Sequence, residues 1–131
     1  MNQQAQDTYL RMQVSTAAPW ELTAMLFNGC IKFMKQAQQG IRTKDFQSKN
    51  LYIQKSIDII DELMSTLKME YDLSKQLFAL YDYMKQKLFQ ANIRLNESDL
   101  QECIDLMTDL KDTWIQSMKQ HHAKSKVQVQ S

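Results

Sequence analysis

Residues 53–67 read IQKSIDIIDELMSTL, and within them Ile53, Ile57, Ile60, Met64 and Leu67 step by four, three, four and three. Such steps line side chains along one face of an α-helix, whereas a half-buried strand alternates by two. The stretch is a heptad seam, and it places a helix over about residues 45–69. A second row, Tyr52, Ile59 and Leu63, flanks the seam. At ~100° per residue the two rows cover roughly 160° of helix surface, more than the ~100° stripe that one core contact uses. Something further is to be covered there.

The same periodicity extends in both directions. Upstream, Leu22, Met25, Leu26, Gly29, Phe33, Met34, Ala37 and Ile41 predict a helix over about residues 19–40, with Gly40 as its stop. Gly29 lies inside that face at a cost of about 1 kcal/mol relative to alanine, which predicts a closely approaching backbone. Downstream, Ser74 is the candidate cap of a third helix, about 74–95, with its seam at Leu77, Leu80, Met84, Leu88, Ala91 and Leu95. This helix also carries an added row, Phe78, Tyr81, Phe89 and Ile93, with Asn92 among them. Asn96 or Ser98 then caps a fourth helix over about 98–120, whose face is Leu100, Cys103, Met107, Leu110, Trp114 and Met118. The closing residues 121–131, HHAKSKVQVQS, are polar, lack an apolar face and are expected to form a disordered tail. The fold class is therefore all-α, an antiparallel up-down four-helix bundle spanning residues 18–120.

Composition narrows the function. Lys plus Arg number 16 against 15 for Asp plus Glu, a balance that argues against nucleic acid or an anionic membrane surface as partner. The start MNQQAQDT has no basic or apolar leader character and no apolar run reaches membrane length, so a soluble cytoplasmic protein is expected. Cys30 and Cys103 belong to no ligand or redox motif and sit at apolar positions, as reduced core residues do. The only histidines, His121 and His122, lie at a helix end, and no inward Glu-x-x-His pair exists for a di-metal site. With two glycines in the chain there is no phosphate-cradling loop. Asp105, Asp109 and Asp112 fall on the outer face of the fourth helix, either solvated or facing a basic partner. No catalytic, cofactor or metal site is expected. What is left is the surplus apolar surface of the second and third helices, which either receives amphipathic helices or marks the most buried pair of the bundle. Periodicity leaves both open.

Two blocks are similar to a known family. Tyr9, Val14, then TAAPWEL (16–22) and MLFNG (25–29) resemble the start of the flagellin-specific export chaperones, the FliS family, whose pattern is Y-x-x-x-x-V-x-T-A-S-P-x-E-L-x-x-M-L-Y-x-G. Residues 77–92, LFALYDYMKQKLFQAN, resemble that family's L-x-x-L-Y-x-Y-M-x-x-x-L-x-x-A-N. Asn50, IIDEL (59–63) and Trp114 fit between and after them. The resemblance implies a four-helix bundle with a mobile N-terminal segment, residues 1–17, that holds the disordered C-terminal segment of flagellin as helices. It further implies that binding blocks premature polymerisation and assists delivery to a flagellar export gate component; a regulatory protein such as an anti-sigma factor is a further partner left open. On helical position, Tyr52, Ile59, Leu63, Phe78, Tyr81, Phe89, Asn92 and Ile93 are the candidates for flagellin contact, with Tyr9 and Val14 as contacts of the N-terminal segment. Asn92 either serves a backbone group of the bound segment or braces the bundle. A self-associating assembly protein is the alternative from another class.

Two positions depart from the family pattern. Phe27 replaces a tyrosine, and Ala18 stands where the pattern has serine before the proline. Pro19 suits a first helical position, where its missing N–H costs nothing, and Glu21 can reach back to the N–H of residue 18. Half of a capping box is thus present. Ala18→Ser is expected to stabilise the fold by about 0.5–2 kcal/mol, read as a higher melting temperature; an unchanged value would remove Ala18 from the cap position.

Overall fold

A computed structural model describes residues 19–130, with side chains from 20 to 121. Tyr9, Val14, Ala18 and the expected mobile segment lie outside the described residues. The elements are α1 (Pro19–Arg42), α2 (Phe46–Ser65), α3 (Asp72–Arg94) and α4 (Glu97–Gln130). They form an up-down ring in which α1 packs on α2 and α4, and α3 packs on the same two helices from the other side. The periodic positions fill the core. Met34, Ile53, Ile60, Met84, Leu88, Leu100 and Met107 are buried to within a per cent of complete.

Several boundaries differ from expectation, each for a local reason. α1 runs past Gly40 to Arg42, and Lys44, at φ 60°, makes the left-handed step instead. Gly40 has another use. A Cβ built there would stand 2.9 Å from the Lys49 backbone N and 3.1 Å from the Asp45 carbonyl O, while the Gly40 carbonyl accepts from Asp45 N at 2.8 Å. At Gly29 a Cβ would meet only Ile59 Cδ1, at 3.4 Å. The close backbone approach predicted at Gly29 is therefore found about three helical turns further on, at Gly40.

α2 starts behind Asp45, whose carboxylate accepts from Ser48 Oγ (2.8 Å) and Ser48 N (3.1 Å). Those two bonds favour the charged form and hold the carboxyl below the usual aspartate range. α2 stops at Ser65, before the expected residue 69, because Ser65 Oγ and Thr66 Oγ1 take the carbonyls of Glu62 (2.6 Å) and Leu63 (2.7 Å). α3 begins at Asp72, and Ser74, expected to cap it, is buried in its first turn instead. It ends at Leu95, left-handed at φ 55°. Asn96 caps α4, its Oδ1 accepting from Ser98 N at 2.8 Å and Asp99 N at 3.3 Å. α4 continues to Gln130 rather than ending near residue 120. Neither glycine nor proline follows Glu97, so nothing breaks its hydrogen-bond ladder, although among the described side chains the last buried one is Met107.

The two glycines should respond to alanine with opposite sign. Gly40→Ala forces two backbones apart and is expected to cost about 1–3 kcal/mol despite alanine's better helix propensity. Gly29→Ala meets only the end of a flexible side chain and is expected to be neutral or stabilising by up to about 1 kcal/mol. Urea unfolding of both variants decides the matter; equal effects would mean that Gly40 does not set the helix spacing.

Candidate functional site

The nucleophile candidates are sealed away. Cys30 and Cys103 are buried, each thiol directed at a carbonyl, Ser56 O and Met84 O respectively, at 3.6 Å. Burial pushes the Cys103 thiol up to about 12, and Cys30 is driven higher still by burial and by its neighbour Cys103. Both remain protonated thiols with no thiolate for attack or metal binding. Among the described residues no three His, Cys, Asp or Glu side chains gather as a metal site would need.

The candidate contact residues separate into three groups. On α2, Tyr52 stacks on Phe33 of α1 (ring centroids 5.9 Å apart, 23° between planes), and Ile59 lies over Gly29. This flanking row is half-buried against α1, not turned outward. Leu63 and Tyr81, expected on the contact surface, are core residues at 1% and 2% exposure. For these two the expectation is corrected: each flanking row lies close enough to its seam to be enclosed by a neighbouring helix. Burial also pushes the Tyr81 phenol up to about 12.

Asn92 is already engaged. Lys49, only 6% exposed, donates from Nζ to Asn92 Oδ1 at 2.8 Å and Asn92 O at 3.2 Å, and its ammonium stands 5.9 Å from the Phe46 ring centroid. The carbonyl is among the last of α3, where a helix has acceptors without internal donors and a negative dipole end. Of the two readings open in the sequence, bracing is the one with partners in the structure.

Phe78, Phe89 and Ile93 form the third group and are exposed, at 41%, 43% and 82%. Phe78, Lys85, Phe89 and Asn92 recur at helical spacing on one edge of α3. Lys85 pairs with Asp61 of α2 at 2.6 Å and Asn92 holds Lys49 of α2, so the phenylalanines lie along the α2 side of α3, on its outside. Exposed Phe46 and Leu95 extend the apolar character at one end, and Met69, Tyr71 and Leu73 at the other. Sequence periodicity missed Phe46, Met69, Tyr71 and Leu73, because residues in connections and terminal turns have no assigned helix face, and Leu95, expected in the seam, is instead the exposed left-handed cap of α3. Asp82, Lys85 and Gln86 interrupt the edge midway.

The fold, an up-down bundle with an apolar outer edge on one helix, is that of a flagellar chaperone. It superposes on a solved structure described as a flagellar chaperone from bacteria with a TM-score of 0.73, over 89% of this chain and 97% of that one, at 22% identity. The sequence matches the family described as Flagellar protein FliS over residues 1–121. The flagellar secretion chaperone FliS of Bacillus subtilis is 42% identical over 111 residues, 85% of this chain and 84% of the relative. That of Escherichia coli K12 is 33% identical over 108 residues, 80% of this chain and 79% of the relative. The chain belongs to the FliS family of flagellar secretion chaperones.

The bracing role of Asn92 has a thermodynamic signature. Asn92→Ala leaves a buried ammonium without its nearest acceptor and is expected to cost about 1–3 kcal/mol in urea unfolding. Adding Lys49→Met removes the stranded charge and should recover part of that loss, a coupling that a residue serving only a bound partner would not show.

Proposed function

We propose that this chain is a cytoplasmic chaperone for flagellin: it binds the disordered C-terminal segment, keeps it from polymerising and presents it to the export gate of the flagellar secretion apparatus. The observation that carries the reading is the line of exposed Phe78, Phe89 and Ile93 along α3 in a chain of this family. No helix among the described residues is long and apolar enough to cross a membrane, in keeping with that location.

The physics sets a requirement on the site. A segment that folds on binding loses about 1–2 kcal/mol of backbone entropy per ordered residue. Apolar burial returns roughly 25 cal/mol per Å², so the track has to be long, on the order of 1,000–3,000 Å² of total buried surface. One helix of the length of α3, ~35 Å at 1.5 Å per residue, supplies such a track if both of its ends also contribute. Phe78, Phe89 and Ile93 are accordingly the anchors, with Leu73 and Leu95 at the ends. Leu63, Tyr81 and Asn92 act one step back, in the core and in the brace between α2 and α3, while Tyr52 and Ile59 hold α2 against α1.

A flagellin C-terminal peptide titrated into the protein should gain helicity by circular dichroism, and no gain would defeat the proposal. Phe78→Ala and Phe89→Ala are each expected to weaken binding about tenfold, or ~1.4 kcal/mol, with little change in melting temperature. Ile59→Ala, packed over Gly29, should do the reverse. Sedimentation of the free protein separates the rival reading: an obligate dimer burying the same edge would replace chaperoning by self-assembly.

A further inference from the structure

The polar interval of the α3 edge is charged, and its charge bears on what can lie there. Phe78, Asp82, Phe89 and Ile93 follow one another by four, seven and four residues, so Asp82 stands in the same helical stripe as the three apolar anchors. Lys85, one turn on, donates to Asp61 of α2 at 2.6 Å. Asp58, one turn before Asp61, accepts from Gln54 Nε2 at 2.9 Å. The neighbouring cations face elsewhere: Lys87 lies near Asp99 and Glu102 of α4, and Lys55 over the Phe33 ring of α1. Three carboxylates, Asp58, Asp61 and Asp82, are thus set against the one ammonium of Lys85, between two apolar ends. Of the three, Asp82 alone has no hydrogen bond or ion pair among the described residues.

In the free protein Asp82 is exposed and water serves it. A helix laid over both Phe78 and Phe89 has to pass over Asp82 and takes that water away. A carboxylate covered without a replacement donor is costly, and neither an apolar side chain nor a second carboxylate supplies one. An ammonium or guanidinium supplies donor and opposite charge together. We propose that Asp82 is a specificity-determining residue of the α3 edge, selecting bound helices that carry Lys or Arg between two apolar residues eleven positions apart. The inference rests on the reading of this edge as the flagellin site. The place of the cation follows from the stripe: it lies four positions from the residue on Phe78 and seven from the residue on Phe89, whichever way the bound helix runs. An apolar segment that satisfies both phenylalanines but sets an acidic or apolar side chain at that place is disfavoured by Asp82.

Calorimetric binding of a flagellin C-terminal peptide to the whole protein tests this. Asp82→Asn should weaken binding several-fold and Asp82→Lys by about tenfold or more. Both should leave the melting temperature unchanged, since Asp82 has no partner within the bundle to lose. Replacing the peptide's Lys and Arg residues by Glu, one at a time, should find one whose replacement weakens binding to the unaltered protein by about tenfold and is largely restored on the Asp82→Lys protein. Phe78→Ala should weaken the matched and mismatched charge pairs alike. Equal or tighter binding of the peptide to the Asp82→Lys protein, or a set of Glu replacements none of which that protein restores, overturns the proposal and leaves the chaperone reading in place. No binding between unaltered peptide and unaltered protein overturns the chaperone reading, and this proposal with it.

Discussion

The bundle depends on a contact between main chains. At Gly40 the backbone of α2 comes so near α1 that there is no room for a methyl group, and the Gly40 carbonyl takes the Asp45 N–H at 2.8 Å. That bond sets the turn that makes Asp45 the cap of α2, and the first turn of α2 then carries Lys49 into the interior. From there its ammonium reaches the last carbonyls of α3 at Asn92. One absent side chain in α1 therefore fixes the entry of α2 and, through a buried cation, the exit of α3. A charge placed so deep is costly unless fully occupied, which makes the geometry specific more than it makes it stable.

Close approach of α1 and α2 also decides what is left over for binding. The interface is wide enough to take in Phe33 and Tyr52 as a stacked pair, with Ile59 seated on Gly29. α4 secures the remaining side of α1 from both ends. Trp114 Nε1 donates to Trp20 O at 2.8 Å and its ring meets Phe27 edge-on at 6.3 Å, while Gln38 bonds Gln101 Oε1 at 3.1 Å and Arg42 pairs with Glu97. The exposed ion pair adds little; the part-buried tryptophan and glutamine bonds hold the register. α3 faces its neighbours more sparingly. It meets α4 through Lys87, with Asp99 at 3.6 Å and Glu102 at 3.7 Å, and through Tyr83, which donates to Glu102. Its apolar surplus is not consumed internally.

This explains which features the sequence made legible. Four helices and their core followed from period alone, since Ile53, Ile60, Met84, Leu88, Leu100 and Met107 can only line one face each. Asn96 was legible as one of two candidate caps, with Ser98, because a cap's role depends on its own next turn. Gly40 and Ser74 were not, because what they do depends on which helix crosses them. The two apolar surpluses looked alike in angular breadth, yet α1 covers one and nothing among the described residues covers the other. A stripe's width reports how much apolar surface a helix has, and the arrangement of neighbours reports who receives it. Phe78, Phe89 and Ile93 were grouped by period with Leu63 and Tyr81, and only the ring order of the helices separates the exposed three from the buried two.

The arrangement on α3 also reconciles binding with solubility. A continuous exposed strip of aromatics invites self-association, and large apolar patches on free proteins are correspondingly rare. Here Asp82, Lys85 and Gln86 divide the edge, and Lys85 is itself tied to Asp61 at 2.6 Å, so the polar interval is fixed in place. Phe78 and Phe89 stand three helical turns apart, ~16 Å at 1.5 Å per residue. An amphipathic helix laid along α3 repeats its own apolar face every three or four residues and so meets both anchors at that separation. A short or irregular apolar segment meets one of them only. The spacing rewards a long helical partner, such as the segment proposed above, over incidental sticky contacts.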